Sequence, residues 1–247
     1  MSNRINIFDF DGTITNETWP KFWVWVKRFG YHGEKRNDEL EAALAQYRST
    51  HEGDSLETFF GFFNDLLVEN NAFLTKEELM EGEAYIQYNP GLEEYIKSSL
   101  EKNYIVSGGL TDFLKGLKVA PYFIDIYGTP LVYREDGLIS GIGDIMTDDK
   151  KILAIKEILR SNGYEDSDCR NVCFIGDGYS DAPAMRFVHN HGGKAVFVHQ
   201  PDTNDELASH NHKIYEMLMS EGIVDFSFVA DYREGSELFH ILKSKEL

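Results

Sequence analysis

The 247-residue sequence predicts an α/β fold: a parallel sheet covered on both faces by helices, with a helical segment inserted after the first strand. Three observations predict it. Short apolar runs alternate with helical patterns along most of the chain. Residues 16–88 show helices and no convincing strand. Several apolar runs also break into Asp, Ser or Gly at their carboxyl ends, where ligands bind to a parallel sheet.

The expected strands are Arg4–Phe8, Tyr104–Ser107, Phe123–Tyr127, Asn171–Ile175, Lys194–His199 and Phe226–Val229. Helices are expected over Gly91–Leu100, Lys150–Arg160 and Gly235–Ser244, and "TPLVYREDGLISG" reads as a hairpin turning at Asp136-Gly137. Within the insertion, Pro20 suits a first helical turn, and Trp19, Phe22, Trp23 and Val26 follow at helical spacing. Leu56, Phe59, Phe60, Phe63 and Leu67 repeat that spacing after Asp54, and Thr75 with Glu78 forms a capping box. These aromatics read as core sooner than as pocket lining. The chain thus divides into a core, residues 1–15 and 89–247, and a helical unit, 16–88.

Composition sets limits on partners. An apolar content of 42% can fill a sizeable core, and no apolar run reaches the length of a membrane span. Met1-Ser2-Asn3-Arg4 leads straight into a strand, so no secretory leader is expected. A net charge of −18 opposes binding to a nucleic acid polymer, though not to a small anion beside a bound cation. Cys169 and Cys173 lack the further ligands of a zinc site and read as reduced structural thiols, which suits the cytoplasm. His189, His191, His199, His210 and His212 straddle a strand and a polar loop, have no carboxylate at helical spacing, and read as surface residues.

Four stretches carry chemistry. "NIFDFDGTIT" places Asp9 and Asp11 two residues apart at a strand end, where extended backbone would aim both to one side, and Gly12 lets the chain turn close to a ligand. "YIVSGG" ends in Ser107, Gly108 and Gly109, a hydroxyl with backbone N–H groups suited to an oxyanion. "DDKKILAIKEI" puts Lys150 and Lys151 at a helix start, where a lysine is disfavoured by the dipole. "VCFIGDGYSDAPAM" breaks a strand into Gly176-Asp177-Gly178 followed by Asp181.

In this order the set DxDGT, S-G, K, GDGxxD resembles the haloacid dehalogenase (HAD) superfamily of phosphohydrolases. The cadence of "NPGLEEYI…YIVSGGLTDFL" and "REDGLISG" is most similar to its phosphoserine-phosphatase-like branch. The resemblance implies a Rossmann-like core with a helical cap and a phosphoric monoester hydrolase acting on a small phosphorylated metabolite. It implies Asp9 as nucleophile, Asp11 as general acid and base, and Mg2+ held by Asp9, Asp177 and the Asp11 backbone carbonyl. It gives phosphate binding to Ser107, Gly108 and a lysine, and an orienting role to Asp181. From Lys151 the apolar residues Ala154, Ile155, Ile158 and Leu159 fall at +3, +4, +7 and +8, which favours it over Lys150. Glu17 is the nearest counterpart of the branch's substrate-binding acid, at a one-residue gap, and Arg28, Arg36 and Arg48 are cap arginines without a supporting motif. Ser180 stands where that branch has asparagine. A phosphotransferase or phosphomutase would keep every one of these residues, and a non-catalytic metal-binding regulator would not need Asp11.

Overall fold

The computed structural model describes residues 4–16, 36–53, 55–203 and 205–244. The expected first helix, with Trp19, Phe22, Trp23 and Val26, lies outside the described residues, as do Glu17 and Arg28.

Six parallel strands form the sheet: β1 (Ile5–Phe8), β2 (Lys102–Leu110), β3 (Asp125–Thr129), β6 (Val172–Gly176), β7 (Lys194–His199) and β8 (Phe226–Val229). Their spatial order is β3-β2-β1-β6-β7-β8. The chain therefore builds outward from β1 in one direction, returns, and builds outward again beside it. Strand order reverses between β1 and β6, and the crevice beyond their carboxyl ends is where such a sheet takes ligands. Register fixes the depth of that crevice: Phe8 lies opposite Ile105 of β2 and Ile175 of β6. Asp9 thus leaves the sheet at the level where β6 is about to end.

Period-two alternation sends the strands' side chains to two separate cores. Ile5, Ile7, Val106, Phe174 and Phe197 face α6 (Asp148–Ser161), α7 (Ala182–Asn190) and α8 (Asp205–Ser220). Phe8, Ile105, Ile175 and Val196 face the other way, toward α4 (Leu92–Ser98), α5 (Thr111–Gly116) and α9 (Glu237–Lys243). With both faces covered, the strands need no polar side, which is why they read as unbroken apolar runs.

That second core continues into the inserted segment. There α1 (Arg36–Arg48), α2 (Ser55–Glu69) and α3 (Lys76–Met80) contribute Leu40, Leu44, Phe60, Phe63, Leu67 and Leu79 to the cluster that holds Phe8 and Phe10. Thr75 Oγ1 accepts from Glu78 N at 3.1 Å, and the Glu78 carboxylate accepts from Thr75 N at 2.8 Å, completing the expected capping box. The hairpin is β4 (Leu131–Tyr133) with β5 (Ile139–Ile142). It docks on the insertion: Ile142 N donates to Asn64 Oδ1 at 3.0 Å, and Ile139 N to Leu74 O at 2.7 Å. The segment's two connections to the core zip together, with Asn16 N donating to Gln87 O at 3.1 Å and Asn89 N to Ile14 O at 2.9 Å.

The reading of the histidines needs correction. The polar loop around His210 and His212 is part of α8, whose sparse apolar positions, Ile214 and Leu218, hid its period. His212 accordingly has a carboxylate at i+4, Glu216 at 3.1 Å, and His189 meets Asp225 at 3.1 Å. Strand β1 ends at Phe8, where expected, and Asp9 to Asp11 follow it.

Candidate active site

The site is assembled at the carboxyl ends of β1, β2 and β6. Asp9 follows β1, with its backbone N–H on Ile175 O at 2.8 Å. The chain then winds into a single helical turn, in which Ile14 N and Thr15 N both donate to Phe10 O, at 2.9 and 3.1 Å. It is this turn, not an extended strand, that returns Asp11 to the neighbourhood of Asp9. Gly12 has φ +76°, and a Cβ built on it would lie 1.9 Å from Asp177 Oδ2. Only glycine lets the turn approach Asp177 so closely.

Asp177 stands directly beyond β6, and Asp181 lies four residues further on, fully buried. Carboxylate oxygens of Asp9, Asp177 and Asp181 lie within 4.8 Å of one another, the one such cluster of potential metal ligands among the described residues. Lys151, from the first turn of α6, enters the cluster as a buried ammonium 3.0 Å from Asp9 Oδ1 and 2.7 Å from Asp181 Oδ1. Its neighbour Lys150 turns outward to Asp144 and the Ile145 carbonyl. The +3, +4, +7, +8 cadence decides between them, because Ala154, Ile155, Ile158 and Leu159 are buried on the face that carries Lys151.

Charge in the cluster is unbalanced. Burial pushes the Asp9 carboxyl up to about 7; Lys151 pulls it down, and Asp181 and Asp11 add to the rise. Burial and the charges of Asp181 and Asp9 raise Asp177 well above the usual carboxylate range as well. Burial would lower Lys151, but the attraction of Asp181 and Asp9 outweighs it and holds the ammonium above its ordinary value. One ammonium shared among the acids is better satisfied by Asp181, at the shorter distance, than by Asp9, so a deficit of positive charge falls on Asp9 and Asp177.

The hydrogen bonds divide the three acids by task. Asp181 spends Oδ1 on Lys151 and Oδ2 on the backbone N–H groups of Asp177 and Gly178, at 3.0 and 3.3 Å. Among the described residues no donor hydrogen-bonds the Asp177 carboxylate. An all-carboxylate donor set short of positive charge fits a hard divalent cation. The structure is compatible with one at Asp9 and Asp177, with Asp181 bracing the loop around them.

On the β2 side, Ser107 is buried, and its Oγ accepts from Gly109 N at 3.0 Å, which leaves the hydroxyl proton free to donate. Thr129 Oγ1 donates to Gly108 O at 2.8 Å and accepts from Met146 N at 3.0 Å, bracing the Ser-Gly-Gly stretch from β3. The inserted segment reaches this place too: a Cβ on Gly108 would meet Leu56 Cδ2 of α2 at 3.0 Å. Arg48 is tied within the insertion, its Nε donating to Thr58 Oγ1 at 3.3 Å, and Ser180 is exposed. Residues without a motif also serve the turn after β1. Asn89 Nδ2 donates to Thr13 O at 2.8 Å and Thr15 O at 3.2 Å, and the buried Tyr232 OH donates to Thr13 O at 3.0 Å.

The model of the haloacid dehalogenase-like hydrolase family matches residues 7–186, a span that holds every candidate site residue of the four chemical stretches. The chain belongs to that family. A relative, an uncharacterized protein of Borreliella burgdorferi, is 25% identical over 169 residues, 58% of this chain and 57% of that protein. Among solved structures, a HAD family hydrolase from Salmonella enterica serovar Typhi superposes with a TM-score of 0.59 at 21% identity, covering 84% of this chain and 65% of that one. This chain thus spans less than two thirds of the length of either protein. A phosphoserine phosphatase solved as a phospho-aspartyl intermediate analogue matches over 98% of this chain and 99% of its own, with a TM-score of 0.61 and 17% identity. A cytosolic 5'-nucleotidase bound to cytidine matches with a TM-score of 0.57 and 14% identity, over 94% of this chain and 82% of its own. The chain therefore has the Rossmann-like HAD fold that the motifs imply. Among its described residues no helix is long and apolar enough to cross a membrane.

Proposed function

We propose that this hydrolase is a magnesium-dependent phosphatase that cleaves a small phosphomonoester through an aspartyl-phosphate on Asp9. One observation carries the reading: the Asp9 carboxylate lies 3.0 Å from the Lys151 ammonium, and its oxygens share a 4.8 Å cluster with Asp177 at the point where strand order reverses. A nucleophile, a fixed positive charge and carboxylates able to hold a cation are what in-line phosphoryl transfer requires.

In the first step an Asp9 oxygen bonds to phosphorus while the bond from phosphorus to the ester oxygen breaks. Asp11 gives its proton to that leaving oxygen. In the second, water attacks phosphorus, Asp11 takes the water's proton, and the bond to Asp9 breaks to release inorganic phosphate. Lys151 and the Ser107 hydroxyl would hold phosphoryl oxygens as charge redistributes, with the Gly108 backbone beside them. Asp9, Asp177 and the Asp11 carbonyl would hold Mg2+, which when bound would neutralise charge between the nucleophile and the phosphate dianion. Asp181 keeps Lys151 charged and in place.

Residues 16–88 act in this reading as a cap over the phosphate site, and Glu17 is the residue nearest the motif for contact with the leaving group. Leu56 against Gly108 supports the cap's placement. The two thiols, Cys169 and Cys173, are buried and unpaired, which supports a cytoplasmic location.

The test is turnover of p-nitrophenyl phosphate and a panel of small phosphomonoesters with Mg2+ and with chelator. Expected is Mg2+-dependent release of inorganic phosphate that Asp9→Asn and Asp11→Asn each abolish. Phosphate appearing only on an added acceptor, or metal binding without turnover across the panel, overturns the hydrolase assignment.

A further inference from the structure

The turn that carries Asp11 has a part-buried carbonyl, that of Gly12, which its own helix cannot satisfy. In a continuing helix the Gly12 carbonyl would accept from the N–H of residue 16, but Asn16 N instead donates to Gln87 O, at 3.1 Å, where the chain departs into the inserted segment. A carbonyl in this position needs another donor. It receives one from far along the chain. Gln200, the first residue after β7, donates through Nε2 to Gly12 O at 2.9 Å and to Asn89 Oδ1 at 3.2 Å. Asn89 reaches the same carbonyl only at 3.4 Å. Gln200 is itself held, because its backbone carbonyl accepts from Asn211 Nδ2 of α8 at 3.1 Å.

We propose that Gln200 is a positioning residue for this reaction: by pinning the Gly12 carbonyl it holds the Asp11–Gly12 turn against Asp177. The residue lies beyond β7, on the far side of β6 from the turn, and so links the two halves of the sheet across the crevice. Its neighbours make their shorter bonds elsewhere on the turn. Asn89 and Tyr232 hold Thr13 O, one peptide further from Asp11. Gln200 is the amide whose hydrogen bond sets the orientation of the peptide between Gly12 and Thr13. Gly12 has no Cβ to restrict its rotation, so with only the longer Asn89 contact left that peptide can swing, and both Asp11 and the gap facing Asp177 move with it. The consequence for catalysis rests on the phosphatase reading, whereas the clamp itself does not.

The test compares the full chain with Gln200→Met, which keeps length and volume without a donor, and with Gln200→Glu, a second donor-less variant of the same size. Hydrogen exchange of the peptide spanning residues 9–16 reports the turn directly. Steady-state kinetics with p-nitrophenyl phosphate and Mg2+ report its consequence. Expected is exchange about tenfold faster at Ile14 and Thr15 with the remaining strands unchanged. Expected also is kcat about ten- to a hundredfold lower at nearly constant KM, with partial recovery in Gln200→Lys, which restores a donor. Unchanged exchange over residues 9–16, or acceleration spread evenly across the sheet, overturns the proposal. A wild type that turns over no phosphoester overturns the phosphatase reading instead, and the exchange experiment still decides the role of Gln200.

Discussion

The Gly12 backbone and the Asp177 carboxylate stand so close that a Cβ on residue 12 would lie 1.9 Å from Asp177 Oδ2. No side chain fits there, and φ of +76° would itself cost an L-residue about 1–2 kcal/mol. Gly12→Ala must therefore displace either the turn or Asp177. Expected is a chain that folds, loses at least about a hundredfold in kcat and loses the rise in Tm that Mg2+ gives the wild type. Circular dichroism, thermal melts with and without Mg2+, and p-nitrophenyl phosphate kinetics check it.

The adjacent lysines separate cleanly. Lys151 is buried between Asp9 and Asp181, whereas Lys150 meets Asp144 at the surface. Lys151→Met strands two buried carboxylates and is expected to destabilise the protein by about 3–5 kcal/mol near neutral pH, with activity abolished. Lys150→Met removes one surface pair and is expected to change stability by less than about 1 kcal/mol, with activity retained. Chemical denaturation of both variants measures the difference.

The pH dependence follows from the sign of the shift at Asp9. Its folded-state value is raised from 3.8 to about 7, so the folded, cation-free protein holds this proton more tightly than the unfolded chain. The contribution to stability is full below pH 3.8 and is lost as pH rises through about 7. Asp177, raised for the same main reason of burial, acts in the same direction. A cation replaces those protons, so the Tm increment from Mg2+ is expected to be larger at pH 8 than at pH 5.5. Melts of wild type and Asp9→Asn across that range, each with and without Mg2+, isolate the contribution of Asp9. An increment in the wild type that is independent of pH would contradict it.

Much of this was legible in the residues, for identifiable reasons. The strands Lys194–His199 and Phe226–Val229 begin and end where expected, since each is an apolar run stopped by polar residues. Lys151 could be told from Lys150 because a buried helical face imposes its period even on a charged residue. The path from Asp9 to Asp11 was not legible. The expectation took extended backbone through both acids, whereas a helical turn hung from Phe10 O takes in Asp11, whose charge still acts on Asp9. Strand β2 also runs on to Leu110, past the point where glycine suggests a stop, because pairing with β3 shifts register after Val106 and resumes at Leu110 opposite Thr129. Asn89 lies in the "NPGLEEYI" stretch but its contacts with the turn were not legible there, and Gln200 and Tyr232 left no signal at all. Their roles are made by three loops meeting in space, and a lone amide in a loop has no spacing to betray it.

The most direct measurement is acid-quench mass spectrometry of the wild type mixed with a small phosphomonoester and Mg2+. Expected is a phosphoryl group on the peptide that contains Asp9, accumulating in Asp11→Glu if slower proton transfer delays hydrolysis, and absent in Asp9→Asn. Turnover with no phosphoryl group on that peptide, or with the group on another residue, would contradict the assignment of Asp9 as the nucleophile.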